Sequence, residues 1–148
     1  MIDAKQLRIG NYLQPTEKAI KELLEQEMDI KPKSLGEVTS IDNDEIRLYI
    51  DSMEIEFYYE DVQPIPLTEE WLLKFGFSKN ENDVLQIETT LMPLSITLSD
   101  NYPDEKYKAW VYEDENFRYH IISDNIKYVH QLQNLYFDLT NEELNLNK

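Results

Sequence analysis

Cysteine is absent from the 148 residues, which excludes a disulfide framework, a thiolate zinc site and a cysteine nucleophile. Glycine is scarce: Gly10, Gly36 and Gly76 are all there are. Neither G-x-x-x-x-G-K-[ST] nor G-x-G-x-x-G can then be written, and a nucleotide-phosphate cradle lacks its backbone. G-x-S-x-G and H-E-x-x-H are missing too. No run approaches the roughly 18 apolar residues of a membrane span, and the longest uncharged stretch, residues 89–99, is interrupted by Pro93. The start, Met1-Ile2-Asp3-Ala4-Lys5, has neither the basic head nor the apolar run of a signal peptide, so a cytoplasmic protein without membrane contact is expected. Basic residues are few, 14 Lys+Arg against 30 Asp+Glu, leaving a net charge of −16. Phosphates would repel such a chain, which argues against direct binding to DNA, RNA or an anionic membrane.

Hydrophobic residues at 41% and aromatics at 11% supply enough core material to rule out intrinsic disorder, and the length suits one domain or two very small ones. Leu7 to Leu13 reads as a first strand bent at Gly10-Asn11. From Glu17 to Met28, the apolar residues Ile20, Leu23, Leu24 and Met28 fall on one stripe, the spacing of an amphipathic helix. From Glu37 the period changes to two. Ile46, Leu48 and Ile50 alternate with polar residues, as do Ile55, Phe57 and Tyr59, giving with residues 37–41 a three-stranded antiparallel meander with one wet face. Adding the first strand makes a small curled sheet or SH3-like barrel.

Gln63-Pro64-Ile65-Pro66 is extended and marks the expected boundary between a subdomain 1–63, with a helical insertion at about 16–31, and a subdomain 64–148. Thr68 caps a helix from Glu69 to Phe75, and Gly76 stops it. Strands follow at residues 85–91, at Leu94-Ile96-Leu98, and at residues 107–112 and 117–122 around a loop at 113–116. Ser123 or Asp124 would cap a last helix buried through Ile126, Val129, Leu132, Leu135 or Tyr136, and Leu139, and Thr140-Asn141-Glu142-Glu143 has the capping-box pattern for one more turn. The expected class is α+β: a small antiparallel meander, a helix, a second antiparallel sheet and a closing helix.

Chemistry is thinly represented. The only imidazoles are His120, in the second hairpin strand, and His130, one position off the apolar stripe of the last helix. No spacing joins them to carboxylates as a metal site, and in so acidic a chain no carboxylate pair stands out for acid–base work. Trp71 and Trp110 are expected in the core. No catalytic, cofactor-binding or metal-binding residue is assigned, no cofactor is expected, and the chain is read as a non-enzyme.

The charge is unevenly placed. Residues 1–36 carry six basic and six acidic groups, whereas residues 37–61 hold only Arg47 against nine acids, a net −8. The polar side of the meander shows Glu45, Asp51, Glu54 and Glu56, with Tyr58, Glu60 and Asp61 following. Alternate strand residues lie about 6.6–6.8 Å apart, near the spacing of phosphates along one DNA strand. These seven residues are the candidate partner-binding set, a carboxylate face resembling nucleic acid to a basic protein. The same face also reads as a solvated surface whose charge prevents edge-to-edge association.

Three stretches taken together, Leu7-Arg8-Ile9-Gly10-Asn11-Tyr12, Pro64 through Phe77, and Ile126 through Phe137, resemble a family of small uncharacterised proteins encoded in Bacteroidetes genomes, prophages and phages. The resemblance implies no catalytic residues. It does imply a mobile-element setting, in which an acidic inhibitor of a basic or nucleic-acid-binding protein is a natural role. The expected function is a non-enzymatic module that binds a protein partner. The alternative is a small-molecule-binding protein or enzyme with a pocket between the two sheets, using His120 or His130.

Overall fold

The computed structural model describes residues 2–89, 93–98, 107–112 and 119–146. The chain forms two units, Met1–Ile65 with Val129–Asn134, and Pro66–Tyr128 with Leu135–Lys148. The fold is α+β, as expected.

In the first unit a short 3-10 turn, Ala4–Gln6, precedes β1 (Tyr12–Pro15), α1 (Glu17–Glu25), β2 (Gly36–Ile41), β3 (Glu45–Ile50) and β4 (Met53–Tyr58). A second 3-10 turn, Tyr59–Asp61, leads into β5 (Val62–Pro64). These strands form one antiparallel sheet in the order β4-β3-β2-β1-β5, with β4 and β5 at its edges among the described residues. The two-residue period has its expected consequence: Ile46, Leu48, Ile50, Ile55 and Phe57 are buried together with Leu13, Val38 and Val62. Each such side chain contributes about 1.5–3 kcal/mol on leaving water. Gly36 is required where β2 crosses β3, because a Cβ there would sit 2.7 Å from both Leu48 Cβ and Ile50 Cγ1.

Two local expectations in this unit need correction. The first strand does not begin at Leu7. The chain bends at Gly10 (φ 90), whose N–H donates to Val38 O at 2.8 Å, and β1 starts at Tyr12. Asn11, fully buried, explains the bend: its side-chain oxygen accepts from Arg8 N–H at 2.8 Å. The amphipathic helix is also shorter than its stripe. Glu27 takes the left-handed conformation (φ 62), Met28 N–H returns to Leu23 O and Glu27 N–H to Leu24 O, both at 3.1 Å, so a Schellman closure ends α1 before Met28. Its N-terminus is capped by Thr16, whose Oγ1 accepts from Ala19 N–H.

The second unit contains α2 (Glu69–Lys74), β6 (Ser78–Lys79), β7 (Leu85–Ile87), β8 (Leu94–Leu98), β9 (Tyr107–Tyr112) and β10 (Tyr119–Ile126). Its sheet runs β10-β9-β8-β7-β6. Thr68 caps α2 through Trp71 N–H, and Gly76 (φ 91) closes it with Phe77 N–H on Leu72 O at 3.0 Å. The expected loop at 113–116, and the beginning of the strand expected from 117, lie outside the described residues. The strand expected over 85–91 ends at Ile87, residues 88 and 89 being non-strand and 90 and 91 lying outside the described residues; β6 had no sequence signal. Trp71 and Trp110 are half-buried rather than core. Trp71 lies 5.7 Å from the Phe75 ring, and Lys74 Nζ stands 5.2 Å from its centroid.

The last helix, α3 (Val129–Thr140), starts later than Ser123 or Asp124 would place it. Register shifts after Ile121 and Ser123 let β10 absorb those polar residues and continue to Ile126, which is buried as a strand residue. Thr140 does not start another turn. It closes α3, its Oγ1 donating to Tyr136 O at 2.8 Å and accepting from Glu142 N–H, while Asn141 turns left-handed (φ 57).

The units also divide differently from a single cut at 63/64. The chain leaves the first unit after Ile65, and the first half of α3 belongs to that unit. The cause is a set of side-chain bonds: Gln133 accepts from Tyr12 N–H at 2.8 Å and donates to Gly10 O at 2.9 Å. Asn134 accepts from Asn11 Nδ2 at 2.9 Å and donates to Gln6 O at 2.7 Å. Val129 N–H reaches Ile65 O at 2.9 Å, and in the second unit Leu67 N–H reaches Lys127 O at 2.8 Å. The stretches around Asn11, Ile65 and Gln133 therefore hold one another, which gives them structural roles.

Candidate functional site

The candidate face is built on the β3–β4 hairpin. Asp51 and Ser52 both take left-handed conformations (φ 45 and 76), the two-residue turn whose twist matches the strands it joins. The register pairs Glu45 with Tyr58, Arg47 with Glu56, and Tyr49 with Glu54. With the opposite side chains locked in the core, these six project outward; Glu45 is half-buried and the other five are exposed.

The structure places the seven candidate residues unequally. Glu45, Glu54, Glu56 and Tyr58 share the outer face. Asp51 does not, a correction to the expected row. It lies in the turn, where its carboxylate accepts from the Ser34 hydroxyl and from Lys31 N–H, and these bonds hold it below the usual aspartate range. Glu60 and Asp61 fall in the 3-10 turn. Glu60 is exposed, whereas the Asp61 side chain keeps 15% exposure and meets Lys18 of α1 at 3.4 Å.

The face is less regular than a row of phosphates. Glu54 and Glu56 keep the two-residue spacing, but Arg47 and Tyr49 occupy the corresponding places on β3. Arg47 Nε bonds Glu56 at 3.0 Å, and Thr39 Oγ1 donates to Glu54 at 2.6 Å. Glu45 is pushed above the usual glutamate range, chiefly by the charge of Glu56, with desolvation and a hydrogen bond to Glu56 adding to it. Its own end of the face therefore carries more negative charge than Arg47 offsets. Tyr49 and Tyr58 add exposed aromatic surface at 51% and 57%, the residue type enriched at protein interfaces.

Two clefts flank Tyr58. One, of about 320 Å3, has Leu23, Gln26 and Met28 on one side and Ile55, Phe57 and Tyr58 on the other, with Glu22, Glu45, Glu56 and Asp61 among its acidic members. The other, about 390 Å3, is formed by Asn43, Asp44, Tyr58, Tyr59 and Glu60. Tyr59 braces it, its hydroxyl donating to Asp42 O at 2.6 Å; burial and the nearby Asp42 and Asp44 raise its pKa. Sequence reasoning missed the contribution of α1 to the first cleft, because nothing in the helical stripe says which strand it faces. It also missed the central position of Arg47, which the hairpin register alone decides.

His120 is exposed on β10. His130, read as lying off the apolar stripe, is instead buried at 1% exposure, and desolvation lowers its pKa to about 4. Among the described residues, no group of three or more His, Cys, Asp or Glu is placed to hold a metal ion, and no helix is long and apolar enough to cross a membrane.

The first unit thus defines a class: a small five-stranded antiparallel sheet with a helix between its first two strands and an acidic, tyrosine-bearing hairpin face. Comparison of the chain with protein-family models, with curated proteins and with solved structures finds no match.

Proposed function

We propose that this protein is a non-enzymatic, cytoplasmic interaction module that binds a basic protein through the outer face of β3 and β4. The observation that carries the reading is the convergence of Glu45, Glu54 and Glu56 with exposed Tyr49 and Tyr58 on one hairpin, within a segment holding nine acidic residues and one basic. Its scaffold is preorganised, since the reverse side of both strands is core. The tyrosines supply contact area at low entropy cost, and the carboxylates supply steering and choice of partner. In the mobile-element setting that the family resemblance implies, the partner is a basic, nucleic-acid-binding host protein that the module inhibits. The carboxylate spacing supports mimicry of phosphates over Glu54 and Glu56 only, so recognition depends on the mixed acidic and aromatic face more than on a long phosphate-like row.

A pull-down from host lysate at low and moderate salt tests this. The expected result is a basic protein retained at low salt, released as salt rises, and lost when Glu45, Glu54 and Glu56 are all changed to Lys. Capture of the same proteins by the charge-reversed variant would refute it.

A further inference from the structure

In the first unit the sheet ends at β4, whose ladder partner among the described residues is β3. The register tells which backbone groups this leaves over. Asp42 N–H donates to Glu45 O at 2.9 Å, so the backbone groups of Glu45 face β2. Glu45 and Tyr58 are therefore a non-hydrogen-bonded pair. The two-residue turn closing on Ile50 and Met53 gives the same phase. Alternation then turns the N–H and C=O groups of Glu54, Glu56 and Tyr58 away from β3. An edge of this kind is a template for another strand.

Beside this edge lies the cleft of about 320 Å3, with Ile55 and Phe57 on the β4 side, Leu23 and Met28 across from them, and Glu22 and Glu45 among its acidic lining. We propose that an extended basic segment of the partner protein adds to β4 as a sixth strand, placing one set of alternate side chains in this cleft. The inference rests on the reading of the hairpin face as a basic-protein site and deepens it by naming the conformation recognised. Side chains of an added strand alternate between the two sides of the sheet. One set lies beside Glu54, Glu56 and Tyr58 of β4 and is satisfied by Lys or Arg, with Glu45 behind Tyr58 on β3. The other lies beside Ile55 and Phe57 and is satisfied by Val, Ile or Thr. The cleft is at the small end of ligand pockets, a size for peptide side chains.

Charge decides against the other obvious occupant. A second copy of this chain would bring its own acidic hairpin against Glu54 and Glu56, and like charges across a strand pair are destabilising. A basic strand meets the opposite condition. The elevated pKa of Glu45 agrees with this, because it marks negative potential that a cation from outside would relieve, and binding should release a proton from Glu45 near its titration range.

The experiment uses the full chain and a synthetic peptide of about eight residues alternating Lys and Val. Beside it run the same peptide N-methylated on the amides of one edge, then of the other, and an oligolysine of equal charge. The expected result is binding of the alternating peptide, with slowed hydrogen exchange at the amides of Glu54, Glu56 and Tyr58. N-methylation of one edge only should weaken it about tenfold, the loss of one or more main-chain hydrogen bonds. Glu56→Lys should abolish binding with an unchanged circular dichroism spectrum, since its side chain points outward. Equal binding of both methylated forms and of oligolysine, without amide protection, overturns strand addition while leaving the acidic face as a binding surface. Failure of every basic peptide, with the salt-sensitive lysate partner still captured, likewise overturns strand addition alone. Loss of both overturns the two readings together.

Discussion

Lowering the pH from 7 to 5 should cost the wild-type protein about 2 kcal/mol of stability that a His130→Gln variant retains. The perturbation is protonation of an imidazole that the fold encloses. His130 is 1% exposed, and burial lowers its pKa from 6.5 to about 4. The unfolded chain therefore binds a proton around pH 6.5, whereas the folded chain resists until about pH 4. Stability from this group is fully present above pH 6.5 and drains away between 6.5 and 4. Integrating the difference in proton binding gives about 2 kcal/mol between pH 7 and pH 5 and about 3 kcal/mol by pH 4. The narrower interval keeps the protein above its isoelectric point of about 4.4. The assay is urea unfolding at each pH, read as wild type minus variant, so that carboxylates common to both proteins cancel. In thermal melts the same difference amounts to about 6 °C for a chain of this size. His130→Leu provides a second non-titrating variant with a different shape. Parallel stability curves for wild type and both variants would refute the reasoning, because they would mean that water reaches the imidazole in the folded state.

Replacing Gln133 by Leu removes the acceptor of Tyr12 N–H and the donor to Gly10 O, and should cost about 2–4 kcal/mol in urea unfolding; a negligible change would mean that water replaces both bonds. Gly36→Ala should cost about 1–3 kcal/mol through overpacking against Leu48 and Ile50, and trimming Ile50 to Val in that background should return part of the loss, a coupling that a double-mutant cycle measures. Glu45→Gln should raise the melting temperature at pH 7, because the folded state disfavours ionised Glu45 beside Glu56. The gain should shrink as the pH falls into the carboxylate range, and a gain independent of pH would assign the effect to something other than charge.

Period and punctuation made much of this fold legible. The alternation of Ile46, Leu48 and Ile50 with polar neighbours reports which side of β3 is core, since a one-residue slip would invert every side chain. Thr68 announces its helix through a short-range bond that needs no tertiary knowledge. What stayed hidden depends on distant partners. Glu27 ends α1 in a conformation rarely taken by glutamate, and Asn11 bends the chain because its side chain is buried and needs partners such as Asn134. The candidate face shows the same limit. Its acidic composition was visible, but Asp51 departs from it because Ser34 and Lys31 lie within reach only after β2 and β3 pair. His130 misled because helical periodicity places it at a shoulder of the apolar stripe, and the surroundings that bury it come from outside its helix.

The bonds from Gln133 to the Tyr12 and Gly10 backbone span 121 and 123 positions, which has a consequence for the order in which the chain matures. During synthesis at roughly 5–20 residues per second, Tyr12 emerges on the order of 10 s before its acceptor does. The first strand of the sheet is therefore made long before its final partner exists. Its last amide bonds close only after the intervening sheet has left the ribosome, a long-range closure of the kind that slows folding. A ribosome stalled before residue 129 would leave β1 paired with β2 and β5 but Gly10 O and Tyr12 N–H without Gln133, and protease sensitivity at Gly10 should persist until translation resumes.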